Sequence, residues 1–241
     1  MTVGRRFGET ASTYAANRPA YPADAVGWVV PPDARRVLDL GAGTGKLTRQ
    51  LVDAGHAVVA VEPSPRMAAE LSAYVPEAEL RIGTAEDIPL PDSQVDAVVA
   101  GSAFHWFDQD RAVPEIARVL RPGGSLALVW NQPDDRCDWV RQLDEITDAE
   151  QRRIGRSKSP ADLNWFHAAE TLEVPHAHRL SRESLLALMQ TFSYYLLLDP
   201  AGRADLLHRV DELTRRHPDL AGRETFVLPY ITRCWRATPR G

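Results

Sequence analysis

Through the first 130 residues, apolar positions fall into short continuous runs separated by segments in which they recur at helical spacing. The runs are "RRVLDL" (35–40), "AVVAVE" (57–62), "AELRIG" (78–83), "VDAVVAG" (95–101) and "SLALVW" (125–130). Runs this short and this apolar predict strands buried on both faces. Between them, "TGKLTRQLVDAG" (44–55) sets Leu47, Leu51 and Val52 on one helical face and closes on Gly55, a C-cap residue. "SPRMAAELSAYV" (64–75) opens with Ser64 as N-cap and Pro65 at the first helical position. "AVPEIARVL" (112–120) is apolar at Val113, Ile116, Val119 and Leu120 and stops at "RPGG". Strand–helix–strand alternation predicts a parallel sheet with helices on both faces.

Beyond Trp130 the rhythm changes. Residues 131 to 170 are polar and helix-prone, with a loop at "GRSKSPADLNW". A strand is expected over "AETLEVPHAHRLS", helices over 181–192 and 200–216, and a final strand over "ETFVLPYITRCWRAT" (224–238). Antiparallel strands with helices between them fit this half better than a separate domain. The expectation is one domain over 1–241, with a lid segment at 1–30, a cofactor-binding core at 35–130 and a substrate-side region at 131–241. The apolar stretch "FSYYLLLD" (192–199) suits core better than a dimer surface; monomer and homodimer both stay open.

Composition narrows the function classes. The chain has 241 residues and net charge −5, with no long run of one sign, which argues against nucleic acid as a partner. Cys137 and Cys234 stand far apart without metal-ligand spacing, and His176 with His178 lacks a third ligand, so no metal is expected. No apolar run reaches the roughly eighteen residues of a membrane span, and the start lacks a signal-peptide pattern. A cytoplasmic protein is expected.

The chemistry gathers at "VLDLGAGTGKL" (37–47), with Gly41, Gly43 and Gly45 in a turn between strand and helix. Glycines there allow positive φ and close approach of a ligand to the backbone. The phosphate-binding GxxxxGK[ST] pattern fails, because Leu47 stands at the hydroxyl position. The dinucleotide pattern GxGxxG fails as well, because Lys46 stands where glycine is needed. Glu62 ends the next strand, about twenty residues beyond Gly41, where an acid can accept both ribose hydroxyls of a nucleoside. Asp39 before the loop suits an ammonium group and would repel a pyrophosphate. Together these favour S-adenosylmethionine over NAD(P).

The downstream segments "GTAEDIPLPDSQVDAVVAGSAFHWF" and "EIARVLRPGGSLALVW", with the opening "FGETASTYAANRPAYP", complete a pattern. It resembles the class I S-adenosylmethionine-dependent methyltransferases, in particular the small-molecule branch (methyltransferase type 11) that includes trans-aconitate methyltransferase-like proteins. The resemblance implies an α/β, Rossmann-like sheet of seven strands, order 3-2-1-4-5-7-6, with strand 7 antiparallel. It implies S-adenosylmethionine as cofactor and S-adenosylhomocysteine as product. Gly41, Ala42 and Gly43 would line the methionine portion, with Asp39 near its amino group. Glu62 would hold the ribose, beside Pro63 and Ser64, with Met67 under the adenine. Ala85 and Glu86 match the position that contacts the adenine and its amino group, and Gly101 and Ser102 the position beside the sulfonium. Tyr14 and Arg18 would lie at the cofactor's methionine end and near the acceptor.

Methyl transfer is an in-line displacement from a good leaving group, so orientation supplies most of the rate. A base matters only where the acceptor loses a proton. His105, just past the fourth strand, is the candidate base, and Arg18 is the candidate carboxylate grip. Tyr14, Arg18 and Tyr21 are spaced for a lid, and Trp106, Trp130 and Asn131 for pocket walls. Trp28, Trp139, Trp165 and Trp235 read as core or interface. The expected reaction is methyl transfer to a small-molecule acceptor at a carboxylate or hydroxyl oxygen. An NAD(P)-dependent oxidoreductase and a non-catalytic cofactor-binding protein are the alternatives.

Overall fold

A computed structural model describes residues 18–154 and 165–240, and Tyr14 lies outside them. Within the described residues one sheet has seven strands: β1 (Arg36–Leu40), β2 (Ala57–Glu62), β3 (Glu79–Ile82), β4 (Val95–Gly101), β5 (Leu120–Pro133), β6 (Glu170–Leu180) and β7 (Phe226–Ala237). Their order is 3-2-1-4-5-7-6, with β7 antiparallel, as expected from the resemblance. The helices are α1 (Ala23–Val29), α2 (Lys46–Asp53), α3 (Pro65–Tyr74), α4 (Gln109–Val119), α5 (Asp138–Ile154), α6 (Arg182–Met189), α7 (Ser193–Leu197) and α8 (Pro200–Arg216). No helix among the described residues is long and apolar enough to cross a membrane.

Contacts divide the chain into two compact units. Among the described residues, one comprises 20–131, 165–174 and 232–240, and the other 18–19, 132–154 and 175–231. In the first, the period of two along each strand builds two cores at once. Leu38, Leu40, Val59, Val61, Val98, Ala100, Leu126 and Leu128 face the side covered by Ile116 and Val113 of α4. Val37, Val58, Ala97, Val99, Ala127 and Val129 face the side covered by Val26 and Val29 of α1 and by Leu47 and Leu51 of α2. This double burial is why the strands lack polar alternation. In the second unit, Trp139 and Leu143 of α5, Leu185 and Leu188 of α6, Val210 of α8 and Leu228 of β7 form a separate cluster.

The predicted caps hold. The Ser64 side chain accepts from the Met67 N–H at 3.5 Å with Pro65 opening α3. Gly55 sits at φ +94 just past α2.

Three local differences have physical causes. Within the expected lid, residues 23–29 form α1, whose Ala25, Val26 and Val29 are core, so this part of the segment is fixed by burial. α4 begins at Gln109, three residues before the apolar pattern, because its first turn is polar and exposed. β5 runs through "RPGG" by a register shift opposite Val95–Ala97; Gly124 is required there, since a Cβ would lie 2.9 Å from the Arg121 and Asp96 carbonyls. "FSYYLLLD" contains the short α7, with Tyr194 and Leu196 buried. Of the tryptophans read as core or interface, Trp139 and Trp235 are buried, Trp28 packs partly buried against the core, and Trp165 is 52% exposed.

Candidate functional site

The order of the strands reverses between β1 and β4, and ligands of such sheets bind at that point, beyond the carboxyl ends of the strands. The glycine loop occupies this place. Gly41, Gly43 and Gly45 all have positive φ, at +72, +59 and +88. Two of them are also fixed by crowding: a Cβ on Gly41 would lie 2.8 Å from Ala103 Cβ, and one on Gly45 2.9 Å from Leu71 Cγ. A Cβ on Gly43 would meet nothing within 4 Å, so this glycine serves conformation and leaves its outer side open. The Gly41 and Ala42 N–H groups both donate to the Val61 carbonyl, at 2.9 and 3.1 Å, tying the loop to β2.

Two acids flank the loop. Asp39 is 1% exposed, and by strand alternation it faces α2. Its Oδ2 accepts from the Thr48 hydroxyl at 2.6 Å, while Oδ1 is buried with no hydrogen-bond partner among the described residues. Burial pushes its carboxyl up to about 7; the Thr48 hydroxyl and backbone N–H oppose this, and the charge of Glu62 adds to it. Thr44 Oγ1, in the loop itself, is likewise buried without a partner among the described residues. Buried polar atoms in a native fold are ordinarily hydrogen-bonded, so these two stand out. Glu62 is 5% exposed; its Oε2 accepts from the Gly43 N–H and its Oε1 from the Ser64 N–H, both at 2.9 Å. Burial raises the Glu62 pKa, and these two N–H donors hold the rise down.

The end of β4 lies beside β1 in the sheet. Ser102 has φ +52, a strained conformation for a residue with a side chain, and its N–H donates to the Val129 carbonyl at 2.9 Å. Its hydroxyl shares a 3.1 Å hydrogen bond with the Tyr21 hydroxyl. Tyr21 is bracketed by one side chain: Gln50 Nε2 donates to its carbonyl at 2.6 Å, and its N–H donates to Gln50 Oε1 at 3.1 Å. A Cβ on Gly101 would lie 3.0 Å from both the Tyr21 hydroxyl and Leu47 Cδ2. His105 and Trp106 follow on an exposed 3-10 turn (Phe104–Trp106), their ring centroids 4.9 Å apart. Asn131 donates to the Ala20 carbonyl at 3.3 Å and accepts from the Thr232 hydroxyl at 2.6 Å, so it braces the Tyr21 segment.

Another segment follows β3. Ala85 is core, and Met67 is buried in α3. Glu86 Oε1 accepts from the N–H of Asp108, the cap of α4, at 2.8 Å. Arg118 of α4 holds the segment after it: Nη2 donates to the Ile88 carbonyl at 3.0 Å, and Nη1 to the Leu90 carbonyl and to Asp92, at 2.8 and 2.9 Å. Glu115 pairs with Arg118 and also accepts from the Ile88 N–H at 3.0 Å. Sequence reading singled out neither Arg118, Gln50 nor Thr48. Their partners lie 9 to 30 residues away, on other elements, and no local spacing announces them.

Arg18 belongs to the other compact unit. Its Nε donates to the Thr191 hydroxyl at 3.0 Å, and its guanidinium lies 3.8 Å above the Phe192 ring centre. His176 and His178 pack their rings against Tyr230, with centroids at 5.4 and 6.4 Å. Among the described residues no group of three or more His, Cys, Asp or Glu could hold a metal.

A doubly wound sheet with a tight glycine turn at its switch point, an orphaned buried acid before the turn and a second acid ending β2 defines a protein that binds a nucleoside cofactor. Residues 38–128 match the family model described as a methyltransferase domain. Over 248 aligned positions, covering 99% of each chain, this protein is 45% identical to an uncharacterised methyltransferase of Mycobacterium tuberculosis H37Rv. It is 44% identical over 104 positions to a malonyl-[acyl-carrier protein] O-methyltransferase of Methylococcus capsulatus, covering 41% of this chain and 38% of that one. A type II methyltransferase structure from Anaeromyxobacter dehalogenans shares the fold, with TM-score 0.66, 24% identity and coverage of 92% and 97%. The chain belongs to the class I S-adenosylmethionine-dependent methyltransferases.

Proposed function

We propose that this enzyme moves a methyl group from S-adenosylmethionine to an oxygen, carboxylate or hydroxyl, of a small-molecule acceptor. The observation that supports the reading is the orphaned Oδ1 of Asp39, in the strand that leads into the loop where Gly43 leaves its outer side open. In this reading Asp39 receives the ammonium group of the methionine part and Gly41–Gly43 lie along it. Glu62, with Pro63 and Ser64 beside it, meets the ribose, and Met67, Ala85 and Glu86 flank the adenine. The bound cofactor supplies a methyl carbon on a good leaving group. The protein supplies alignment and a dry site, with Gly101 and Ser102 at the reacting end.

His105, exposed one turn beyond Ser102, is assigned the proton of an acceptor hydroxyl; a carboxylate acceptor needs no base. Trp106 and Trp130 are assigned to the acceptor side. The partial likeness to an enzyme named for O-methylation supports oxygen as the receiving atom.

The test is a thermal-shift titration followed by a screen of small acids, phenols and amines with labelled S-adenosylmethionine. S-adenosylhomocysteine is expected to raise the melting temperature, and label is expected on an acid or phenol. Stabilisation by NAD(H) in place of S-adenosylhomocysteine would end this reading, and label confined to amines would move the acceptor atom to nitrogen.

A further inference from the structure

Asp39 can satisfy only half of its carboxylate in the free protein. Oδ2 has the Thr48 hydroxyl at 2.6 Å, whereas Oδ1 is buried and unpartnered among the described residues. Thr48 favours a negative charge here through its hydroxyl and its backbone N–H, but burial outweighs both. In register, β2 sets Ala60 and β4 sets Val99 against it. The charged residue of β2 that acts on Asp39 is Glu62, another acid. Of the cations of α2, Arg49 is paired with Asp53 and Glu77 at 2.8 and 3.0 Å, and Lys46 stands at the first position of the helix. An isolated carboxylate in such a place is costly, and taking up a proton is the inexpensive answer. A cation beside Oδ1 reverses that preference.

We propose that cofactor capture at the glycine loop is a proton-exchange step, in which Asp39 holds a proton in the free protein and releases it when a ligand ammonium group comes to Oδ1. The inference rests on the cofactor reading above. In the exchange the O–H bond of the carboxylic acid breaks and its proton passes to the buffer. The carboxylate then accepts a charge-assisted hydrogen bond from the ammonium group. Capture is therefore favoured above neutral pH and falls as the medium is acidified. Burial, which pushes this carboxyl up to about 7, sets the window.

The experiment is calorimetric titration of the full chain with S-adenosylhomocysteine at pH 5, 6, 7 and 8, in buffers of differing ionisation heat. About 0.9 proton is expected to leave per site at pH 6, about 0.5 at pH 7 and about 0.1 at pH 8. Affinity is expected to be about tenfold weaker at pH 6 than at pH 8, and about 100-fold weaker at pH 5, in proportion to the ionised fraction. Asp39→Asn should bind more weakly, at an affinity independent of pH, with no proton release. Thr48→Val removes a donor that favours the ionised form and should move the midpoint to higher pH, which a merely structural role for Thr48 would not do. Wild-type binding with pH-independent affinity and no buffer-dependent heat overturns the inference and leaves the cofactor reading standing. A linkage that survives in Asp39→Asn assigns the proton to Glu62 or His105 and overturns it too. No binding of S-adenosylhomocysteine at any pH sinks the cofactor reading itself.

Discussion

Glu62 is hydrogen-bonded to Gly43 across two consecutive strand–helix turns, its Oε2 accepting the loop N–H at 2.9 Å. The acid assigned to the ribose therefore also pins the middle of the glycine loop, and through Oε1 it holds the Ser64 N–H at the start of α3. Each oxygen of a carboxylate has a second lone pair, so holding both amides leaves room for two ligand hydroxyls.

Glu62→Ala should accordingly do two things. Leaving two backbone donors without a charged acceptor should cost about 1–3 kcal/mol of stability. Stabilisation by S-adenosylhomocysteine should vanish as well. Glu62→Gln keeps an acceptor for one amide and should recover part of the stability while recovering little of the affinity. Chemical denaturation of both variants, with and without ligand, separates the two effects. An Ala variant as stable as wild type would mean that the bonds to Gly43 and Ser64 carry no weight.

Asp39 predicts a stability that depends on pH. Its folded pKa of about 7 stands above the ordinary 3.8, so between these values the folded state holds a proton that the unfolded chain has lost. The contribution is complete below the unfolded pKa and is lost as pH rises toward 7, at up to about 1.4 kcal/mol per pH unit. Asp39→Asn lacks this loss. The melting temperature of the variant minus that of wild type should grow from pH 5 to pH 8 in the absence of ligand. A difference that stays flat would show that Asp39 is ionised throughout.

Arg118 joins α4 to the segment that carries Ala85 and Glu86, through the Ile88 and Leu90 carbonyls. Arg118→Ala should release these two carbonyls and lower stability by about 1–2 kcal/mol, or roughly 3–6 °C in melting temperature. The affinity for S-adenosylhomocysteine should weaken more than that for free methionine, since the segment is assigned to the adenine end. Equal weakening of both would remove that assignment.

His105 is expected to be separable from cofactor binding. It lies exposed beyond β4, away in sequence from the glycine loop. His105→Ala should leave the S-adenosylhomocysteine affinity within about twofold, while slowing transfer to a hydroxyl acceptor by about 10²-fold or more. Transfer to a carboxylate acceptor should be affected much less. A large loss of cofactor affinity would place His105 in the binding site instead.

What the chain declares on its own is set by how local each determinant is. Continuous apolar runs announced β1, β2 and β4, because double burial removes polar residues position by position. Ser64 and Pro65 announced α3, since a cap acts within a single turn. The glycine loop was legible for the same reason: Gly41, Gly43 and Gly45 each hold a positive φ that the backbone itself demands. The bracing was not legible. Tyr21 meets Ser102 across 81 positions, and Asn131 meets Ala20 across 111. α1 escaped notice because Gly27 weakens its propensity, and tertiary burial of Ala25, Val26 and Val29 overrides that.

The glycine ending β4 offers a test of the bracing itself. Gly101 has no unusual φ, so its need for glycine comes from the approach of the Tyr21 hydroxyl and of Leu47, each 3.0 Å from where a Cβ would stand. Gly101→Ala should therefore push Tyr21 outward, break its bond to Ser102 and lower stability by about 1–3 kcal/mol, the usual cost of overpacking. Tyr21→Phe removes one of the two obstructing atoms and the bond to Ser102 together. If Tyr21 is what Gly101 accommodates, the double variant should lose less stability than the two single variants added, by at least about 0.5 kcal/mol. Additive losses in a double-mutant cycle would place the strain on Leu47 instead, and Leu47→Val in the Gly101→Ala background should then relieve it.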